Sequence, residues 1–306
     1  MTENEARLTP AEKWERATLA NDFIFYKVMR HNPEECRQIL ELLLGISIER
    51  IEMTGEETID VEPDAKAVRL DVYAKEAGGT EPRAFDIEVQ VADTKELPER
   101  ARYYQGIMDV DMLKSGDRYS ALKTSYVIFL CMSDPIIPAD EAGRRKKCYT
   151  FETRCVEDPD IALKDRMYKH FFIVPECAKM MQDRERKAFF SLFIPGMEGT
   201  AGTALTDRLK KLVEEAKQNM QWRKQYMTWE RQRAYDYQDG LEAGIARGEA
   251  RGVAIGEARG LAQGERNARL DNARRMLAEG ISVEQTARIV QLPLEEVRQL
   301  ATETKR

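Results

Sequence analysis

Histidine is nearly absent from this 306-residue chain, occurring only at positions 31 and 170. Histidine-rich zinc sites and Ser-His-Asp or Cys-His catalysis therefore have few parts to draw on. The 5 cysteines (36, 131, 148, 155 and 177) include no C-x-x-C pair and are odd in number. A disulfide framework is thus not indicated, and a reduced, cytosolic setting is expected. Any bound metal is then expected on carboxylates. No stretch approaches roughly 18 uncharged apolar residues, so no transmembrane helix and no membrane partner are expected. The opening MTENEARLTPAEKWERA is polar and acidic, unlike a secretory signal. Positive charge is also short, 48 Lys+Arg against 54 Asp+Glu for a net of −6. As an average, that argues against a generally basic protein that coats nucleic acid.

The average hides a gradient. Residues 1–97 carry 12 basic and 22 acidic side chains, 98–200 carry 17 and 16, and 201–306 carry 19 and 16. The acidity sits in the first third, and the remaining 209 residues have a net charge of +4. The length allows two domains, or one large domain with an appendage. An apolar fraction of 42% is enough for a core, while 33% charged residues is high for a compact globule.

Residues 10–44 read as helical with a break at His31-Asn32-Pro33; Leu40, Leu43 and Leu44 form a stripe, and Gly45 suits a C-cap. Alternation predicts strands over 46–53, 66–75 and 83–91. A helix starts near Pro98, with Leu97, Ala101, Tyr104 and Met108 as its apolar stripe, and Gly116 ends it. The run SYVIFLCM (125–132) is apolar throughout, as a central buried strand would be. Strands at 148–153 and 169–174 and a helix around 182–193 complete a mixed α/β domain over residues 1–200.

Beyond residue 200 the composition changes to a long charged helical pattern, and then to glycine at 240, 244, 248, 252, 256, 260 and 264. A four-residue period drifts by roughly 40° per repeat on an α-helix, so the glycines wind round instead of lining one face. At about 1 kcal/mol each relative to alanine, they predict at best a weak helix. Interleaved Glu and Arg exclude membrane GxxxG pairing. Residues 201–266 read either as a flexible, partly helical connector or as an arm for homo-oligomerisation. Residues 267–306 form a small helical tail: Gly280 ends one helix, Ser282 to Gln285 has capping-box spacing for a helix through Val290, and Pro293 opens another. Three short helices resemble a helix-turn-helix unit. However, Glu295 and Glu296 would repel phosphate, leaving DNA contact and a packing or oligomerisation hairpin as alternatives.

The chemistry concentrates in the hairpin 66–91. One face of its second strand holds Asp86, Glu88 and Gln90, and one face of its first holds Arg69, Asp71 and Tyr73. Symmetric folding about Gly79-Thr80 sets Asp71 opposite Glu88 and Arg69 opposite Gln90. Directly opposed carboxylates repel at Cβ separations of about 4.5–5.5 Å. Either the face is solvated, or a cation or shared proton relieves it. A hard divalent ion such as Mg²⁺, with Mn²⁺ as the substitute, suits Asp71 and Glu88 as ligands, because it is held by one or two carboxylates plus waters and phosphate.

The strings ANDFIFYKVM, LLLG, KAVRLDVYAKEAGGTEPRAFDIEVQ and ERARYYQGIMDVDMLKSGDRYSALKTSYVIFL resemble the PD-(D/E)XK nuclease family transposases, also called Rpn-type recombination-promoting nucleases. The resemblance spans roughly residues 20–200, and the glycine-rich tail is similar to a common appendage in that family. It implies a restriction-endonuclease-like mixed sheet flanked by helices, an α-helical C-terminal extension, and Mg²⁺-dependent cleavage of DNA. It also implies Asp71 and Glu88 as metal ligands, with Gln90 where the general signature has lysine. Arg69 or Lys66 would supply the missing positive charge. Asp22 and Lys27 fall in the helix matching the family's first motif, where Asp22 either reaches the site or caps the helix. Pro63-Asp64 is a literal PD dipeptide, but it precedes the strand. Arg102 and Tyr103 either lean over the cleft toward phosphate or lie on the surface, and the RRKK run at 144–147 is a solvated loop or a DNA clamp. Two rivals remain: a non-catalytic DNA-binding or oligomeric assembly protein on a nuclease-like scaffold, and a ribonuclease with the same metal chemistry.

Overall fold

The computed structural model describes residues 8–54, 70–78, 82–91, 95–197 and 202–304. The chain divides into two compact units, Met1–Glu230 and Arg231–Arg306.

The first unit begins with three helices. α1 (Pro10–Glu15) opens on a capping box between Thr9 and Glu12. α2 (Asp22–His31) and α3 (Pro33–Leu44) are separated at Asn32, where the proline that follows starts the next helix. Gly45 closes α3 in the left-handed region at φ 69°, a conformation that glycine adopts without a Cβ penalty. The break over 16–21 has no proline or glycine to announce it; Asn21 makes it by capping α2 through Ile24 N–H.

Six strands form one mixed sheet in the order β1-β2-β3-β4-β6-β5. They are β1 (Ile51–Met53), β2 (Val72–Glu76), β3 (Arg83–Gln90), β4 (Thr124–Cys131), β5 (Cys148–Phe151) and β6 (Met167–Ile173). β1, β2 and β3 are antiparallel neighbours, as are β5 and β6; β3, β4 and β6 run parallel. The hairpin register expected from symmetry is observed where both strands exist, with Val72 opposite Ile87, Tyr73 opposite Asp86 and Ala74 opposite Phe85. Of the predicted strand 66–75, residues 66–69 lie outside the described residues; Asp71 lies in a bend, so β2 begins at Val72, and Leu70 packs with the core opposite to that of Val72 and Ala74. Of the 46–53 pattern, only Ile51–Met53 pairs.

Both sheet faces are covered. On one, Val72, Phe85, Ile87, Val89, Ile128 and Leu130 meet α2, α3, α6 (Arg184–Ser191) and α7 (Ala204–Gln218). On the other, Tyr73, Ala84, Val127, Phe129 and Phe171 meet Leu97, Ala101, Ile107 and Met108 of α4 (Leu97–Met112). β4 lies between β3 and β6 and is buried nearly throughout, as its apolar run requires. α5 (Val174–Met180) follows β6 directly; Pro175 in its first turn and buried Cys177 and Ala178 make a helix where periodicity gave no signal.

The long charged segment is two helices. Asn219 interrupts it because its side-chain oxygen caps the next helix, accepting from the N–H groups of Gln221 and Trp222 at 3.0 and 3.1 Å. α8 (Met220–Ala278) then runs without interruption through all seven repeat glycines, so the stretch read as a partly helical connector is helical throughout. In the second unit, α9 (Val283–Val290), capped by Ser282, and α10 (Leu294–Thr304) pack with the end of α8 around Ala273, Val290 and Leu300. Glu296 pairs with Arg266 at 2.8 Å and Glu295 with Arg298 at 2.6 Å. Among the described residues, no helix is long and apolar enough to cross a membrane.

Candidate metal centre

The carboxyl ends of the parallel strands gather the candidate residues. β3 ends at Gln90, level with Cys131 on β4. Because β2 runs antiparallel to β3, its entry residue Asp71 lies beside that end. The Asp71 N–H donates to Glu88 Oε1 at 2.8 Å, a bond made possible by the bend that takes Asp71 out of the ladder. Asp71, Asp86, Glu88 and Gln90 thus share the face under α4. That cover leaves the middle of the face out of solvent, with Asp86 0% and Glu88 3% exposed, while Asp71 and Gln90 at its edge stay partly exposed.

Burying acids without full compensation shifts their protonation. Burial, then the charges of Asp71 and Asp86, raises the Glu88 pKa well above the usual carboxylate range. Burial and then Asp71 do the same to Asp86. Both Asp86 carboxylate oxygens are buried without a hydrogen-bond partner, a costly arrangement for an ionised group.

Among the described residues, the guanidinium of Arg100 answers this acidity. Arg100, in the first turn of α4, donates to Gln90 Oε1 at 2.8 Å, to Glu88 Oε2 at 3.4 Å and to the Tyr104 hydroxyl at 3.0 Å. It also sits over the rings of Tyr104 and Phe129, 5.3 and 5.8 Å from their centroids. Burial, followed by the charge of Glu88, pushes the Tyr104 phenol up to about 12. The sequence pattern held the signal for both residues, because Arg100 and Tyr104 continue the helical spacing of Leu97, Ala101 and Met108 toward the sheet. Arg102 and Tyr103, singled out from the same helix, are exposed instead.

The other candidates fall elsewhere. Asp22 is the first residue of α2, with Oδ1 accepting from Phe23 N–H at 2.9 Å, and Lys27 lies over the rings of Phe23 and Tyr26. Their helix packs on the opposite sheet face from α4. Lys66, Arg69 and Asp64 lie outside the described residues. In the RRKK run Arg144 pairs with Glu141, while the Lys147 carbonyl accepts from Ile173 N–H at 2.9 Å, setting the run's end at the same carboxyl edge of the sheet.

A divalent ion fits this chemistry in part. The donor set is all oxygen, and the orphaned Asp86 carboxylate beside Glu88 is the kind of group that a cation relieves. Among the described residues, however, no three His, Cys, Asp or Glu side chains are placed to hold an ion by themselves. Asp71 and Glu88 would make a two-carboxylate site of the sort that Mg²⁺ completes with water and phosphate.

A mixed sheet with this hairpin, its acids at the carboxyl edge and helices on both faces, has the restriction-endonuclease-like architecture. Residues 19–243 match the model of the PD-(D/E)XK nuclease family transposases, and the chain belongs to that family. No curated protein and no solved structure matches it.

Proposed function

We propose that the protein is a Mg²⁺-dependent endodeoxyribonuclease of the recombination-promoting type, acting on DNA in the bacterial cytoplasm. The observation that carries this reading is the hydrogen bond that brings Asp71 against buried Glu88, with orphaned Asp86 beside it, in a chain of a nuclease family. Asp71 and Glu88 would hold the ion, with Mn²⁺ able to substitute. Bound there, Mg²⁺ would polarise a phosphoryl oxygen and lower the pKa of a water. Gln90 is neutral and contributes hydrogen bonding in place of the lysine of the general signature. The α4 helix and the Tyr104 and Phe129 rings shield Asp86 and Glu88 from bulk water, which strengthens each electrostatic contact they make.

Plasmid nicking by wild type in Mg²⁺ and in EDTA, beside Asp71→Ala and Glu88→Ala, tests this reading. Activity in wild type with Mg²⁺ alone, and a loss of at least about 100-fold in both variants, is expected. Equal activity in all three proteins refutes it. Gln90 favours a second reading, a non-catalytic DNA-binding or assembly protein that oligomerises through its C-terminal helices. Calorimetry detecting neither Mg²⁺ nor Mn²⁺ binding, together with a concentration-dependent oligomer, would select that reading. A ribonuclease would be distinguished by RNA outcompeting DNA.

A further inference from the structure

Arg100 and a divalent cation lay claim to the same atom. Glu88 Oε1 already accepts a 2.8 Å bond from the Asp71 N–H, so Oε2, which Arg100 reaches only at 3.4 Å, is the oxygen with more lone-pair capacity for an ion. That is the longest of the three Arg100 hydrogen bonds; those to Gln90 and Tyr104 are 2.8 and 3.0 Å. The guanidinium is therefore anchored by two neutral groups and two ring faces, and only loosely by the acid. We propose that Arg100 is an exchange residue: a cation arriving at Glu88 Oε2 displaces it from that oxygen, and the freed N–H groups bind a phosphodiester of the nucleic acid. The inference rests on the reading of Asp71 and Glu88 as the metal pair.

Access favours the exchange. Glu88 presents only 4% of its side chain to solvent, whereas Arg100 presents 28%, so the arginine is the group that an incoming backbone can meet. Its planar fork matches two phosphate oxygens, and its place in the first turn of a 16-residue helix adds the favourable end of the helix dipole. A structural prop would need only the Gln90 and Tyr104 contacts. A cation placed against a metal ligand predicts opposite effects on metal and on cleavage.

The test is a calorimetric Mn²⁺ titration of the full chain, paired with Mg²⁺ nicking rates, on wild type, Arg100→Gln, Arg100→Lys and Asp71→Ala. Arg100→Gln is expected to bind Mn²⁺ roughly tenfold more tightly, because a competing charge has left. Its nicking is expected to fall by roughly 100-fold through loss of phosphate stabilisation. Arg100→Lys keeps the charge but not the fork; wild-type Mn²⁺ affinity with partly recovered nicking is expected. Mn²⁺ affinity of Arg100→Gln equal to or weaker than that of wild type overturns the exchange. Should Arg100→Gln fail to fold, Arg100→Lys decides: full wild-type nicking would overturn the proposal, and nicking reduced at unchanged Mn²⁺ affinity would support it. Wild type and Asp71→Ala binding Mn²⁺ alike would overturn the metal-pair reading instead.

Discussion

Asp86 is the side chain most at odds with its surroundings, and its cost depends on pH. Its neighbours on the covered face are Tyr73 opposite, Asp71 and Glu88 beside it, and Arg100 and Tyr104 from α4. A carboxyl whose pKa is raised in the fold binds its proton more tightly there than in the unfolded chain, where the value is about 4. Its contribution is therefore complete at acid pH and is lost as pH climbs from about 4 through the raised folded value. Asp86→Asn removes that loss. Its urea midpoint is expected to exceed that of wild type at about pH 7 and to converge with it near pH 4. A difference that does not vary with pH would show that packing alone is at work. The candidate site was legible in the sequence as far as the hairpin register, which holds over Val72–Lys75; the bend that takes Asp71 out of the ladder and sets its N–H on Glu88 was not. Burial of Asp86 was not legible, because it depends on which helix covers the face, a tertiary fact. Arg100 was legible in principle from the α4 stripe, whereas its bond to Gln90 requires the crossover that lays α4 over β3.

At the scale of elements, α8 shows propensity being outweighed. Each of its repeat glycines costs about 1 kcal/mol relative to alanine, yet the helix is continuous from Met220 to Ala278. The intervening residues are largely Ala, Arg, Glu and Leu, all good helix formers, and i,i+4 side-chain bonds such as Gln238–Glu242 and Gln263–Asn267 add support. None of the glycines from Gly240 to Gly264 has an atom within 4 Å of a built Cβ, outside the helix's own nearby backbone. Alanine is thus sterically free at each. Gly252→Ala combined with Gly256→Ala is expected to stabilise this stretch by about 2 kcal/mol, seen as helical circular dichroism retained to higher temperature. Unchanged helicity together with loss of an oligomer would instead assign the glycines to close helix–helix contact. Sequence period alone could not settle the matter, since it weighs the glycines but not the fifty-odd residues of cooperative helix around them.

For the whole molecule, the decisive question is where the first compact unit ends. Composition changes near residue 200, and that is where a reading of charge and pattern places the boundary. Packing carries the unit through Glu230. Leu205, Leu209, Val213 and Ala216 of α7 belong to the same core as α2 and the sheet, and Tyr226 is 1% exposed among Trp14, Phe23 and Trp229. Polar links tie the same pieces: Trp14 Nε1 donates to the Lys217 carbonyl at 3.0 Å, and Lys13 pairs with Glu230 at 2.7 Å. Burying a Leu- or Val-sized side chain stabilises by about 1.5–3 kcal/mol. Removing these residues therefore forfeits roughly 5–10 kcal/mol, the full stability of an ordinary domain, and uncovers the aromatic faces of α1 and α2. A fragment of residues 1–200 is expected to aggregate or unfold, whereas 1–238, which keeps two turns beyond Glu230 against fraying, should melt cooperatively. Thermal melts followed by near-ultraviolet circular dichroism separate the two, and a 1–200 fragment as stable as 1–238 would refute this boundary. If 1–238 also nicks DNA as fast per molecule as the full chain, the acids under α4 suffice for chemistry. A folded but inactive 1–238 would mean that the second unit supplies what the site lacks, through DNA contact or assembly.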